Sequence, residues 1–134
     1  MSELVYEKIK KRVDEVADEL IAASRAIHAN PELAFKEVFA CKTLTQSLRN
    51  HDLDVKTGVY TLETAFETRL PKSSDGPTAA ILAEYDALPG IGHSCGHNII
   101  ATSALGETLG LQAVADALPG TVRLLGTPAE EKGG

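Results

Sequence analysis

Thr78-Ala79-Ala80-Ile81-Leu82-Ala83 and, further along, Thr121-Val122-Arg123-Leu124-Leu125-Gly126 are the two stretches whose reading decides the fold. Each is a short, largely apolar run of strand length; the first is of the kind found in a strand covered on both faces. Between them, residues 96–118 read as a helix with Ile100, Ala104, Leu111, Ala115 and Leu118 on a small-residue face, and Pro119-Gly120 stops it. Strand, helix and strand of these lengths make a βαβ unit. Its two strands are expected to be parallel, with a right-handed crossover.

Working outward, Ile9, Val13, Val16, Leu20, Ser24 and Ile27 recur every three or four residues, which predicts one amphipathic helix over 6–29. Glu7, Lys10, Lys11, Asp14, Glu15, Asp18 and Glu19 cover its solvent side. His28-Ala29-Asn30-Pro31 ends it, because proline disfavours helical geometry in the residue before it, and His28 is placed to meet the terminal carbonyls. A second helix is expected over 31–50, with Val38, Cys41, Leu44 and Leu48 inward and Cys41 a small core residue. Residues 54–70 change to strand character, with Val55, Val59, Leu62 and Phe66 among threonines and Gly58 as a turn or bulge. Pro71-Lys72-Ser73-Ser74-Asp75-Gly76-Pro77 is a loop by composition. The fold class is therefore α/β, a mixed sheet containing a βαβ unit with flanking helices.

A length of 134 residues, 43% apolar and 24% charged, is ordinary for one globular domain and excludes a disordered tail. Thirteen Lys and Arg against nineteen Asp and Glu give a net charge of -6, so neither nucleic acid nor an anionic membrane is an expected partner. Two cysteines are too few for a disulfide scaffold. With no signal peptide and no apolar run of membrane-spanning length, the expected location is cytoplasmic. The chain stops at Glu130-Glu131-Lys132-Gly133-Gly134, directly after a strand-like run, which reads as a cut.

In an open parallel sheet, ligands bind beyond the carboxyl ends of the strands. The segments leaving those ends carry Glu84, Asp86, His93, Cys95 and His97 in one loop and Glu130 and Glu131 in the other. Zinc and similar divalent ions take S, N and O donors in one shell. Cys95-Gly96-His97 puts two such donors two residues apart, with a glycine to bend the backbone between them. Neighbouring glutamates can point differently, so one can bind metal while the other handles protons. Other readings stand beside this one. His93 can simply pack within its loop, residues 86–90 can be turn chemistry, and Cys95 with His97 can be a nucleophile and base.

The run Ala83-Glu84-Tyr85-Asp86-Ala87-Leu88-Pro89-Gly90-Ile91-Gly92-His93-Ser94-Cys95-Gly96-His97-Asn98 closely resembles a signature of the aminoacylase/carboxypeptidase amidohydrolase family of di-metal exopeptidases. Gly126-Thr127-Pro128-Ala129-Glu130-Glu131 is similar to its second signature, and His28-Ala29-Asn30-Pro31-Glu32-Leu33 to its N-terminal one. Within the family the chain looks nearest to the branch with β-alanyl-lysine-type dipeptidases and aminobenzoyl-glutamate hydrolases. Many relatives outside that branch carry Asp and then His where this chain has Asn98 and Ile100.

The resemblance implies a partial zinc-exopeptidase-like catalytic domain over residues 1–134, with two further histidine ligands and a dimerisation or lid domain to follow. It implies Cys95, His97 and Glu131 as metal ligands, Glu130 as general base and acid, and Asp86 behind a ligand. Two divalent ions, zinc or manganese, are implied, with dipeptides or N-acyl amino acids as substrates and a homo-oligomer at full length. A non-catalytic metal-binding or regulatory subunit on the same fold is the alternative.

Overall fold

The computed structural model describes residues 2–71 and 75–133. Of the loop expected over 71–77, residues 72–74 lie outside the described ones. Three helices come first, α1 (Glu3–Glu15), α2 (Ala17–Ala29) and α3 (Val38–Asn50). Strands β1 (Val55–Thr57), β2 (Phe66–Arg69) and β3 (Thr78–Glu84) follow, then α4 (His97–Gln112) and β4 (Thr121–Thr127).

The described strands form one sheet in the order β1-β2-β4-β3. β3 and β4 run parallel in register from Thr78 opposite Thr121 to Glu84 opposite Thr127, as the βαβ reading requires. β2 is antiparallel to β4, and β1 to β2, so the sheet is mixed.

β4 has neighbours on both sides, β3 along its whole length and β2 over residues 123–126. One expectation for the sheet needs correcting. β3 is the edge strand among the described residues, and its residues are mostly exposed, Leu82 to 51%. An apolar run shows that a strand tolerates cover on both faces. It does not supply the cover.

The first predicted helix is two helices. Val16, buried, breaks the run with φ -101° and ψ 5°. The reason lies on α4, whose glycines admit both halves. A Cβ at Gly106 would stand 2.8 Å from Leu20 of α2, and one at Gly110 would stand 3.1 Å from Ile9 and Val13 of α1. A bend at Val16 lets α1 and α2 each lie against its own gap.

The second helix starts at Val38, not near Pro31, and Val38 is 60% exposed instead of inward. Glu32 sets this start, its two carboxylate oxygens accepting the backbone N–H groups of Phe39 and Ala40 at 2.8 and 2.9 Å. The segment ahead of α3 is held elsewhere, since the Ala87 N–H donates to the Glu32 carbonyl at 2.8 Å and Leu33 bridges Ala87. Asn30, not His28, serves the end of α2, donating to the Ala26 carbonyl at 2.8 Å; His28 instead lies beside the His93 ring. On α4, Ile100 is exposed rather than on the covered face, and the helix ends at Gln112 with a separate 3-10 turn over Ala115–Ala117.

The core joins Ile27, Leu44 and Leu48 to Leu105 and Leu109 of α4 and to Phe66, Tyr85 and Leu124 at the sheet. Cys41 is buried among them, as expected. Phe66 stacks on Tyr85 with ring centroids 5.9 Å apart, and the Phe66 ring covers Gly126, where a Cβ would stand 2.2 Å from two ring carbons. Gly126→Ala therefore forces the ring or β4 to shift, and is expected to destabilise the fold by about 1–3 kcal/mol. Urea titration of the variant should show a lower midpoint. An unchanged midpoint would mean that the Phe66 ring does not press on β4.

Candidate metal centre

The carboxyl ends of β3 and β4 bring the two donor loops side by side. Leaving β3, the chain passes the buried residues Tyr85 and Asp86 and closes a small hairpin, in which Leu88 and Gly92 exchange backbone hydrogen bonds at 3.0 and 3.1 Å. Gly96 then adopts φ +76°, a conformation open to glycine at little cost, and turns the chain into α4. This leaves Cys95 exposed outside the helix and makes buried His97 its first residue.

Asp86 orders this corner. His97 Nδ1 lies 2.9 Å from the Asp86 carbonyl oxygen and 3.0 Å from its Oδ1, so the ring donates its Nδ1 proton there. The other carboxylate oxygen, Oδ2, accepts the backbone N–H of Glu131 at 3.0 Å. One buried side chain thus holds the imidazole of one loop and the backbone of the other.

With Nδ1 committed to Asp86, Nε2 is the ring nitrogen turned toward the two donor loops. Three carboxylate oxygens surround it: Glu130 Oε2 at 3.5 Å, Glu84 Oε2 at 3.6 Å and Glu131 Oε1 at 3.7 Å. Acceptors gathered at such separations suit a cation. Donor atoms of Glu84, His97 and Glu130 all lie within 4.8 Å of one another, close enough to share one ion.

The structure therefore brings His97, Glu130 and Glu131 together, and adds Glu84, to which the sequence analysis gave no role beyond its position at the strand end. Cys95 stands outside that three-residue cluster. Interaction with the Glu131 carboxylate, with a little desolvation and the charge of nearby carboxylates, holds its pKa above the ordinary thiol value. A nucleophilic cysteine needs the opposite shift, so this environment gives no support to the thiol-and-base reading. His93 is buried beside His28, with ring centroids 6.3 Å apart, and desolvation lowers its pKa. Neither of its buried ring nitrogens has a hydrogen-bond partner among the described residues.

No protein-family model matches the chain. The Xaa-Arg dipeptidase of Mus musculus is 43% identical across 98% of the chain, and thermostable carboxypeptidase 2 of Saccharolobus solfataricus is 36% identical across 97%. A solved dinuclear metal-binding peptidase of the M20 family from Bacillus subtilis superposes with a TM-score of 0.81 and 32% identity over 88% of the chain. The chain belongs to this M20 amidohydrolase family. It spans about a third of each of these relatives: 33% of the dipeptidase, 36% of the carboxypeptidase and 36% of the solved chain. Among the described residues, no helix is long and apolar enough to cross a membrane.

Proposed function

We propose that this chain is the N-terminal portion of the catalytic domain of a cytoplasmic M20 metallo-amidohydrolase that cleaves the amide bond of dipeptides or N-acyl amino acids. The observation that carries the reading is the buried His97, fixed by Asp86, with Nε2 directed at three carboxylate oxygens. The named relatives support the substrate class, being a dipeptidase and a carboxypeptidase. In this reading Cys95, His97 and Glu131 hold metal. The raised thiol pKa of Cys95, which answers first to the Glu131 carboxylate beside His97, supports this. Glu130 is left for proton transfer, and it has the more open side chain, 45% exposed against 28% for Glu131.

A pair of divalent ions, zinc or manganese, fits this donor set and would supply Lewis acidity and a water acidic enough to react near neutral pH. Glu130 takes a proton from the attacking water as its oxygen bonds to the scissile carbonyl carbon. As the carbon–nitrogen bond breaks, Glu130 returns that proton to the amine. Asp86 keeps the His97 ring oriented through both steps. At full length the protein is expected to form a homo-oligomer.

The test is a panel of dipeptides and N-acyl amino acids offered to the full-length, metal-loaded protein, with elemental analysis alongside. Hydrolysis of at least one substrate class is expected. The 134-residue chain offered the same panel is expected to hydrolyse nothing, since it spans a third of its relatives. Bound metal without any turnover in the full-length protein would favour a regulatory subunit instead.

A further inference from the structure

Glu37 is a fully buried carboxylate at the head of α3, and nothing above uses it. Its Oε1 accepts the backbone N–H of Ala129 at 2.8 Å and that of Phe35 at 2.9 Å; its Oε2 accepts the Thr64 hydroxyl at 2.9 Å. All three bonds are long-range or turn-forming, and none belongs to a regular helix or strand ladder. Thr64 in turn receives the Tyr85 hydroxyl on its carbonyl at 2.6 Å, one residue before Asp86.

The bond to Ala129 matters most. Ala129 is buried with φ +62° and ψ +34°, a left-handed conformation that a Cβ disfavours. Such a conformation persists where the surroundings over-determine it. Ala129 immediately precedes Glu130 and Glu131, so its backbone angles aim both side chains. Asp86 holds the far side of this turn through the Glu131 N–H, and Glu37 holds the near side through the Ala129 N–H. Phe35, the other backbone partner of Glu37, is also left-handed, at φ +66°.

We infer that Glu37 is a positioning residue for the metal centre: its carboxylate pins the strained Ala129 and thereby sets the directions of Glu130 and Glu131. The inference rests on the proposed metal-site reading and adds a residue 92 positions distant in sequence. Glutamine can replace glutamate here, because its carbonyl oxygen can accept both backbone N–H groups while its amide meets the Thr64 hydroxyl oxygen. Alanine leaves the Ala129 N–H buried without its acceptor.

The test compares Glu37→Ala and Glu37→Gln in the full-length protein by Zn²⁺ titration, steady-state kinetics and amide hydrogen exchange. Glu37→Ala should lose about 10–100-fold in Zn²⁺ affinity or kcat with little change in KM. Exchange at the Ala129 amide should accelerate, while the amides of α4 keep their protection. Glu37→Gln should restore all three readouts. A folded Glu37→Ala protein with unaltered Zn²⁺ affinity and kcat overturns the inference, as does a Glu37→Gln protein equally impaired. Should Glu37→Ala fail to fold, exchange in the unsubstituted protein decides: an Ala129 amide protected like the core supports the inference, and one exchanging as fast as an open loop overturns it. Absence of Zn²⁺ binding by the unsubstituted protein would overturn the metal-site reading itself, whereas Zn²⁺ binding indifferent to Glu37→Ala removes only Glu37 from it.

Discussion

Glu130→Gln is expected to abolish hydrolysis by the full-length protein while leaving its metal content unchanged. The substitution keeps the size and shape of the side chain, and the backbone at this position is set by its neighbours, Ala129 held to Glu37 and Glu131 held to Asp86. What changes is the charge of the side chain and its proton chemistry. A glutamine amide cannot take a proton from water at neutral pH, and it has none to give to a departing amine. Loss of both transfers should lower kcat by at least about 10²–10⁴-fold, the usual range for one general acid–base group. The same variant separates two roles that the geometry leaves adjacent. Glu130 Oε2 and Glu131 Oε1 stand at 3.5 and 3.7 Å from His97 Nε2, and Glu130 also closes the cluster with Glu84. If Glu130 is a ligand, Glu130→Gln sheds metal, and the base must be sought at Glu131 or Glu84. If it is the base, elemental analysis shows metal retained in a dead enzyme. Normal turnover would remove Glu130 from the mechanism altogether.

The donor loops were legible in the sequence because a βαβ unit has a fixed geometry. Once Thr78–Glu84 and Thr121–Thr127 are parallel neighbours, whatever leaves their carboxyl ends must meet. Strand, helix and strand suffice to bring His97, Glu130 and Glu131 to one place. Features set by packing between distant elements were hidden. The stripe from Ile9 through Val16 to Leu20 continues in phase across the bend, so periodicity saw one helix. The bend exists because two gaps on α4, at Gly106 and Gly110, receive residues from either side of it. Glu37 was hidden for a related reason. In Phe35-Lys36-Glu37-Val38 it looks like one more solvent-facing charge within the helix expected over 31–50. Its burial depends on Thr64 and Ala129, which no local pattern connects to it. Glu84 stands in plain view at the end of β3, inside the signature run, but nothing in the run assigns it a ligand role. Only the turn at Gly96 brings the imidazole back toward the strand end.

Removing the divalent metal with a chelator is expected to stop turnover and to uncover Cys95 for alkylation, and both effects should reverse when Zn²⁺ or Mn²⁺ is returned. Lewis-acid activation of carbonyl and water contributes several kcal/mol, so chelation should cost at least about 100-fold in rate. Cys95 provides an independent reading of the same event. Its side chain is exposed, so reagents reach it, and the Glu131 carboxylate raises its pKa when no cation competes. A metal ligated there displaces the thiol proton and occupies the sulfur, so the metal-loaded protein should be alkylated more slowly than the stripped one. Cys41 serves as an internal control. It is buried, and desolvation pushes its thiol up to about 11, so it should stay unreactive in both states. His97→Ala should alkylate at the stripped rate whether or not metal is added, because the imidazole at the centre of the carboxylate cluster is gone. The opposite pattern would sink the metal reading. Turnover that survives complete chelation and disappears on alkylation of Cys95 makes the thiol the reacting group, with the carboxylates around His97 reduced to holding its ring in place.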